Sequence, residues 1–136
     1  MTEISRVAHP TLYGPTTEGG VTLFGLRCRR CAKVGFPRQR YGCENCGAYG
    51  DDLLDLDLAP EGELVSFAAV HRHQGRDIQA PFVMAEVRLD SGPLLRCTLA
   101  QRDDAGLAIG KRVIGRLVDG TSPDAPRELR FFVAGA

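Results

Sequence analysis

The clearest chemistry in the chain lies in four cysteines spaced Cys28-x2-Cys31-x11-Cys43-x2-Cys46. Each Cys-x2-Cys puts two sulfurs on one tight knuckle, close enough to grip one ion. Two knuckles on neighbouring hairpins complete a thiolate tetrahedron, which suits Zn²⁺. Four thiolates fill that coordination sphere and leave no place for water or substrate. One structural Zn²⁺ per chain is therefore expected, stabilising a module too small to hold itself. A rubredoxin-like iron site would use the same donors, and two disulfides would use the same residues; the long second spacer and a reducing compartment favour zinc. Gly47 directly follows the second pair, where a positive φ lets backbone N–H groups turn toward sulfur. Four thiolates around a divalent cation carry a net −2, which Arg27, Arg29, Arg30 and Lys33 are close enough in sequence to offset.

Other reactive residues are isolated. His71 and His73 alternate on one strand face and would suit a metal, but the sequence places no third ligand beside them; a polar strand end is the simpler reading. Cys97 falls on the inward series Leu95, Cys97, Leu99 and reads as a small core residue rather than a nucleophile. The acidic pairs at 51–52 and 103–104 read as turn and helix-start residues. No nucleophile-elbow, phosphate-loop or dinucleotide motif occurs, so no catalytic residue is assigned. Arg29, Arg30, Arg38 and Arg40 form a basic surface on the cysteine module. It is either a solvated, charge-compensating face or a contact for a phosphate or a partner carboxylate.

These residues need a scaffold, and the pattern around them is almost entirely β. Residues 1–20 hold Pro10, Gly14, Pro15, Gly19 and Gly20 and read as an extended arm, free to fray or to wrap a partner. Residues 21–59 read as a zinc ribbon. A strand from Val21 to Arg27 feeds Cys28, and a strand from Leu53 to Leu58 leaves the module with Leu54, Leu56 and Leu58 on one face and Asp55 and Asp57 on the other. From residue 60 to 136 five strands follow: Leu64 to His71, Phe82 to Leu89, Leu94 to Leu99, Lys111 to Val118 and Leu129 to Val133. Asp90-Ser91-Gly92-Pro93 is a hairpin turn, and 102–110 reads as a short helical turn between the third and fourth strands. That order is the order of a five-stranded OB-fold barrel. The expected class is mainly β, an N-terminal zinc ribbon followed by an OB-fold.

Composition narrows the partners. Apolar residues make up 43% and charged residues 25% of 136, which is globular rather than disordered. Seventeen basic side chains balance seventeen acidic ones, and Trp is absent. Neutral charge and few aromatics argue against a nucleic-acid surface. The apolar run Leu64 to Val70 is too short to span a bilayer, and MTEISRVAHP has no secretory core, so a cytoplasmic location is expected. The charge is unevenly placed: residues 1–50 carry seven basic and three acidic side chains, and 51–60 carry four Asp and no base.

With these motifs in place, the chain resembles a known family, the DUF35 proteins. The matching stretches are LRCRRCAKVGFPRQRYGCENCG, GELVSFAAVHR, PFVMAEVRLDSGPLL and LAIGKRV, which cover about residues 22–118 in the family's order. Two knuckles, the FPR segment and a strand ending in His71-Arg72 together are more specific than a bare cysteine pair. The departure is N-terminal: many relatives begin with a helix, whereas TEISRVAHPTLYGPTTEG does not read as one. The resemblance implies a non-catalytic accessory subunit of a thiolase-superfamily enzyme acting on acyl-CoA thioesters. Such a subunit stabilises a catalytic partner in a hetero-oligomer and helps form its coenzyme A or acyl channel. Arg29, Arg30, Arg38, Arg40, His71 and Arg72 are then the candidates for the coenzyme A or partner side. Two other readings stand beside it: a single-stranded nucleic-acid-binding OB protein, and an independent hydrolase using His71 and His73.

Overall fold

A computed structural model describes residues 6–75, 78–120 and 122–134. Nine strands in two sheets account for the architecture of this region: β1 (Tyr13–Pro15), β2 (Val21–Cys28), β3 (Val34–Gly35), β4 (Leu53–Leu58), β5 (Glu61–Val70), β6 (Phe82–Leu89), β7 (Leu94–Thr98), β8 (Arg112–Val118) and β9 (Glu128–Val133). A 3-10 turn, Gly50–Asp52, precedes β4. No helix of the described residues is long and apolar enough to cross a membrane.

The first sheet is built on β2. β4 runs antiparallel along one edge, from Leu23↔Leu58 to Cys28↔Leu53. β1 and β3 pair with successive halves of the other edge. The second sheet has the order β7-β6-β5-β8-β9, all neighbours antiparallel. A parallel bridge, Leu99↔Phe131, brings its two edges together and closes the sheet. Five strands with the first pairing both the second and the fourth, and the third meeting the fifth in parallel, form an OB-fold barrel. The expected class, a cysteine ribbon followed by such a barrel, is what the chain adopts.

Period-2 alternation explains the barrel interior. Val83, Ala85, Val87 and Leu89 of β6 point inward and are buried, while Arg88 between them is exposed. A register shift between Leu64 and Ser66 puts a bulge in β5, and such a bulge bends a long strand around a small barrel. Gly62 sits where a Cβ would run into the Arg88 carbonyl, so the backbones of β5 and β6 approach closely only because that position has no side chain.

Three segments depart from the expectations. Residues 102–110 form turns rather than a helical turn. The Asp103 carboxylate accepts from the Ala105 N–H (3.1 Å), Gln101 Nε2 donates to the carbonyls of Asp103 (2.7 Å) and Ala105 (3.0 Å), and Gly106 and Gly110 have φ of +76° and +96°. Side-chain bonds of this type offer the backbone an alternative to the helix ladder. The arm, described from residue 6 onward, is packed rather than frayed. Val7 is buried and bridges Arg127, β1 joins the ribbon sheet, and the buried Tyr13 hydroxyl accepts the Leu129 N–H (3.3 Å). In β4, Leu58 is buried and Leu56 partly so, but Leu54 stays exposed.

One apolar core links the modules. Val21, Leu23 and Leu58 of the ribbon strands pack with Leu64, Val83, Val87, Val113 and Phe131 of the barrel. A smaller core, Leu26, Cys28, Cys43, Ala48 and Leu53, lies beneath the knuckles. β2 therefore serves two interiors, its first half the barrel side and its second half the cysteine site.

Candidate metal centre

The two knuckles are copies of one backbone device. Cys28 ends β2 and Cys43 follows Gly42. In each, the residue four positions on turns back: Ala32 N–H donates to Cys28 O (2.8 Å) and Gly47 N–H to Cys43 O (2.9 Å). In each, the first cysteine's own N–H donates five positions on, Cys28 to Lys33 O (2.9 Å) and Cys43 to Ala48 O (2.7 Å). Both turns need a left-handed residue. Gly47 supplies φ +80° as the sequence suggests, and Ala32 takes φ +68° despite its Cβ. The sequence signal for Ala32 was its equivalence to Gly47, four residues after its own leading cysteine.

This brings all four sulfurs within 4.8 Å of one another. Cys28 Sγ and Cys46 Sγ are 3.6 Å apart, Cys31 Sγ and Cys43 Sγ 3.5 Å. A tetrahedron with metal–sulfur bonds of about 2.3 Å has sulfur–sulfur edges of about 3.8 Å, so the donor set fits one four-coordinate ion. The Asn45 N–H points at Cys43 Sγ (3.4 Å). Without a cation the thiols compete for protons. Hydrogen bonding from the Asn45 side chain, then from the Lys33 backbone, brings Cys31 down to about 6. At Cys46 the Ala48 backbone pulls downward, but the bonds shared with Cys28, Cys31 and Cys43, together with burial, push the thiol up to about 12. A divalent cation replaces those shared protons, so binding releases them. Among the described residues this is the one cluster of three or more side chains able to hold a metal. His71 and His73 are exposed, and His73 packs edge-on against Phe82 at 5.2 Å.

The four arginines are drawn into pairs with the acidic strand. Arg29 and Arg30 both reach Asp52, at 3.0 Å and 4.0 Å. Arg38 contacts Asp55 (3.5 Å) and Asp57 (3.1 Å), donates to Gly25 O (2.8 Å) and lies over the Phe24 ring at 5.2 Å. Arg40 pairs with Asp55 and bonds Leu53 O. The basic block and the acidic block seen in sequence therefore face each other across the ribbon. The sequence reads Asp52 as a turn residue and Asp55 and Asp57 as the polar face of a strand, without pairing them to the arginines; the net charge reversal at residue 51 is the signal that could have done so. His71 and Arg72 lie elsewhere, exposed just beyond β5 on the barrel.

Two open grooves flank the 3-10 turn. One, about 550 Å³, is lined by Arg30, Cys31, Cys46, Tyr49 and Asp52. The other, about 570 Å³, is lined by Arg40, Leu54 and Asp55. Tyr41 and Tyr49, 94% and 74% exposed, are the large aromatic side chains most open to solvent. Both lie on the ribbon.

Residues 56–118 match the family model described as ChsH2, C-terminal OB-fold domain. A DUF35 domain-containing scaffold protein of Methanocaldococcus jannaschii is 26% identical over 92 residues, 67% of this chain. The match spans 64% of that relative's length. The solved structure of the Ltp2-ChsH2(DUF35) aldolase superposes with a TM-score of 0.67 over 83% of this chain and 85% of that one, at 24% identity. A DUF35 family protein of unknown function from Sulfolobus solfataricus superposes at 0.52 with 17% identity, over 82% and 75% of the two chains. By sequence and by fold, the chain is thus similar to the DUF35 proteins, a four-cysteine ribbon followed by an OB-fold barrel.

Proposed function

We propose that this chain is a non-catalytic accessory subunit of a thiolase-superfamily enzyme acting on acyl-CoA thioesters. The observation that carries the reading is the closed four-thiolate site on a chain whose barrel matches the ChsH2 OB-fold domain. A saturated ion has no coordination position for substrate, so the bond-making groups belong on a partner. Two relatives support that division of labour by what they are called: one is a scaffold protein, and the other is a DUF35 protein paired with Ltp2 in an aldolase.

In this reading the ion is Zn²⁺ and structural. Cys28, Cys31, Cys43 and Cys46 hold it, and it supplies rigidity rather than Lewis acidity. Arg29 and Arg30, 63% and 71% exposed though each reaches Asp52, are the most solvent-open of the four arginines, and Arg30 lines the knuckle groove; from there they can meet a coenzyme A phosphate or a partner carboxylate. Arg40 flanks the second groove, and His71 and Arg72 present a separate polar site on the barrel. Arg38, only 26% exposed and bonded to Gly25 O, ties the loop after β3 to β4 and positions its neighbours.

Purification of the full chain from its source tests this. A thiolase-like subunit should accompany it, and that subunit should lose solubility or acyl-CoA turnover when the chain is removed. A partner fully stable and active alone, or acyl-CoA turnover by the isolated chain, would overturn the assignment.

A further inference from the structure

We propose that the ribbon cysteines are a peroxide-sensitive modification site in which each accessible sulfur has its resolving partner on the opposite knuckle: Cys46 with Cys28, and Cys31 with Cys43. The proposal rests on the geometry of the cluster and not on the acyl-CoA reading.

Burial sorts the four sulfurs into two kinds. Cys28 and Cys43 are buried, at 0% and 6% exposure, whereas Cys46 is exposed and Cys31 is half-buried. The two accessible residues line the same open groove of about 550 Å³, together with Arg30 and Tyr49. An oxidant entering from solvent therefore meets Cys46 and Cys31 first. The contacts of 3.6 Å and 3.5 Å each join one accessible sulfur to one buried sulfur across the two knuckles. An accessible thiol beside a resolving thiol is the arrangement of a redox-responsive cysteine.

The chemistry balances with hydrogen peroxide as the oxidant. The Cys46 sulfur attacks one peroxide oxygen and the O–O bond breaks, giving a sulfenic acid and water. The Cys28 sulfur then attacks Cys46 Sγ; the S–S bond forms, the S–O bond breaks, and the departing hydroxide takes a proton to become water. Two ion-bound thiolates lose two electrons, two protons come from solvent, and one hydrogen peroxide becomes two waters. The same sequence joins Cys31 to Cys43. The sulfurs must close from about 3.5 Å to the roughly 2.0 Å of a disulfide, a small movement for paired side chains. Each link removes two thiolates from the ion, so two links release it. Because both links cross between knuckles, they would hold residues 28–31 against 43–46 after the metal has gone. Links within a knuckle would leave the two halves untied.

The test uses the full-length, zinc-loaded chain with hydrogen peroxide, and with Cys97→Ala as a background that removes the fifth thiol. Zinc release is followed with a chromogenic chelator, and disulfides are mapped by mass spectrometry of non-reduced peptides. The expected result is loss of the bound zinc in step with Cys28–Cys46 and Cys31–Cys43 cross-links, and recovery of both metal and free thiols after a dithiol reductant and zinc are added. Links of Cys28 to Cys31 or Cys43 to Cys46, over-oxidation of Cys46 without any cross-link, or retention of zinc under peroxide that fully oxidises a free thiol control would each overturn it.

Discussion

Under the knuckles, five buried residues form the ribbon core, and two of them are cysteines. The core that fills the barrel and reaches the base of the ribbon has thirteen buried residues and no free charge among them. A core that small does little to offset the entropy of ordering the ribbon loops, so in the proposed reading an ion bridging the four sulfurs supplies the missing free energy. The barrel needs no such help, since closing the sheet between Leu99 and Phe131 encloses Val83, Val87, Leu89 and Val113 on all sides. Side-chain polarity follows the same division. The ribbon surface is laced by Arg–Asp pairs along β4, whereas among the described residues the barrel presents fewer ion pairs, such as Asp90 with Arg112 (2.6 Å).

The sharpest way to break this comparison is to remove the metal. Structural zinc in small fingers contributes about 10–16 kcal/mol at neutral pH. Chelation, or Cys28→Ser, should collapse hydrogen-exchange protection from about Cys28 through Leu53 while strands β5–β9 stay protected. A single cooperative unfolding of both modules would show that the shared half of β2 couples them fully.

The converse substitution is Phe131→Ala. Phe131 is fully buried at the closure of the barrel and should cost about 3–5 kcal/mol. The unfolding midpoint in denaturant should fall sharply, and metal binding should still protect the knuckle amides. Loss of metal affinity to the same degree would mean that the ribbon borrows its order from the barrel.

A smaller effect distinguishes the two knuckles. Ala32→Gly relieves a left-handed alanine and should stabilise the metal-bound ribbon by about 1 kcal/mol; Gly47→Ala should destabilise it by about 1–2 kcal/mol. Competition for zinc with a chelator of known affinity measures both. Equal effects in the same direction would contradict the equivalence of the two turns.

An effect of similar size is a pH dependence on the barrel side. Burial pushes the Cys97 thiol up to about 12, from an ordinary 9.0. Above pH 9 the unfolded chain ionises this thiol and the folded chain does not, so the unfolded state holds fewer protons and stability falls as pH climbs from 9 toward 12. Comparing denaturation midpoints of the native chain and Cys97→Ala at pH 8 and pH 10 should show the native chain losing more. Parallel losses would place Cys97 in contact with solvent.

Much of this was legible in the sequence because the signals are local. Paired cysteines two residues apart announce knuckles, and alternation over Phe82–Leu89 announces a half-buried strand with its inward face. The Asp90–Pro93 turn fixes one hairpin. Less local features were missed for definite reasons. The helical reading of 102–110 lost to side-chain bonds from Gln101 and Asp103, whose geometry composition does not reveal. The arm shows no periodicity because β1 is only three residues long, and Val7 and the Tyr13 hydroxyl are held by residues more than a hundred positions away. The Arg patch looked free because its acidic partners follow it in the chain, and the two charges meet only because β4 pairs with β2 while Arg38 of the loop after β3 is bonded to the Phe24 and Gly25 carbonyls of that same strand.

By itself the sequence determined the cysteine quartet, the inward face of strands such as Phe82–Leu89 and the order ribbon-then-barrel, since each depends mainly on residues close together in the chain. Tertiary structure decided which sulfurs are neighbours across the knuckles, which arginines are already paired and how the barrel closes at Leu99 and Phe131. Those outcomes depend on where distant strands come to lie, and loop closure and packing fix that position, not local preference.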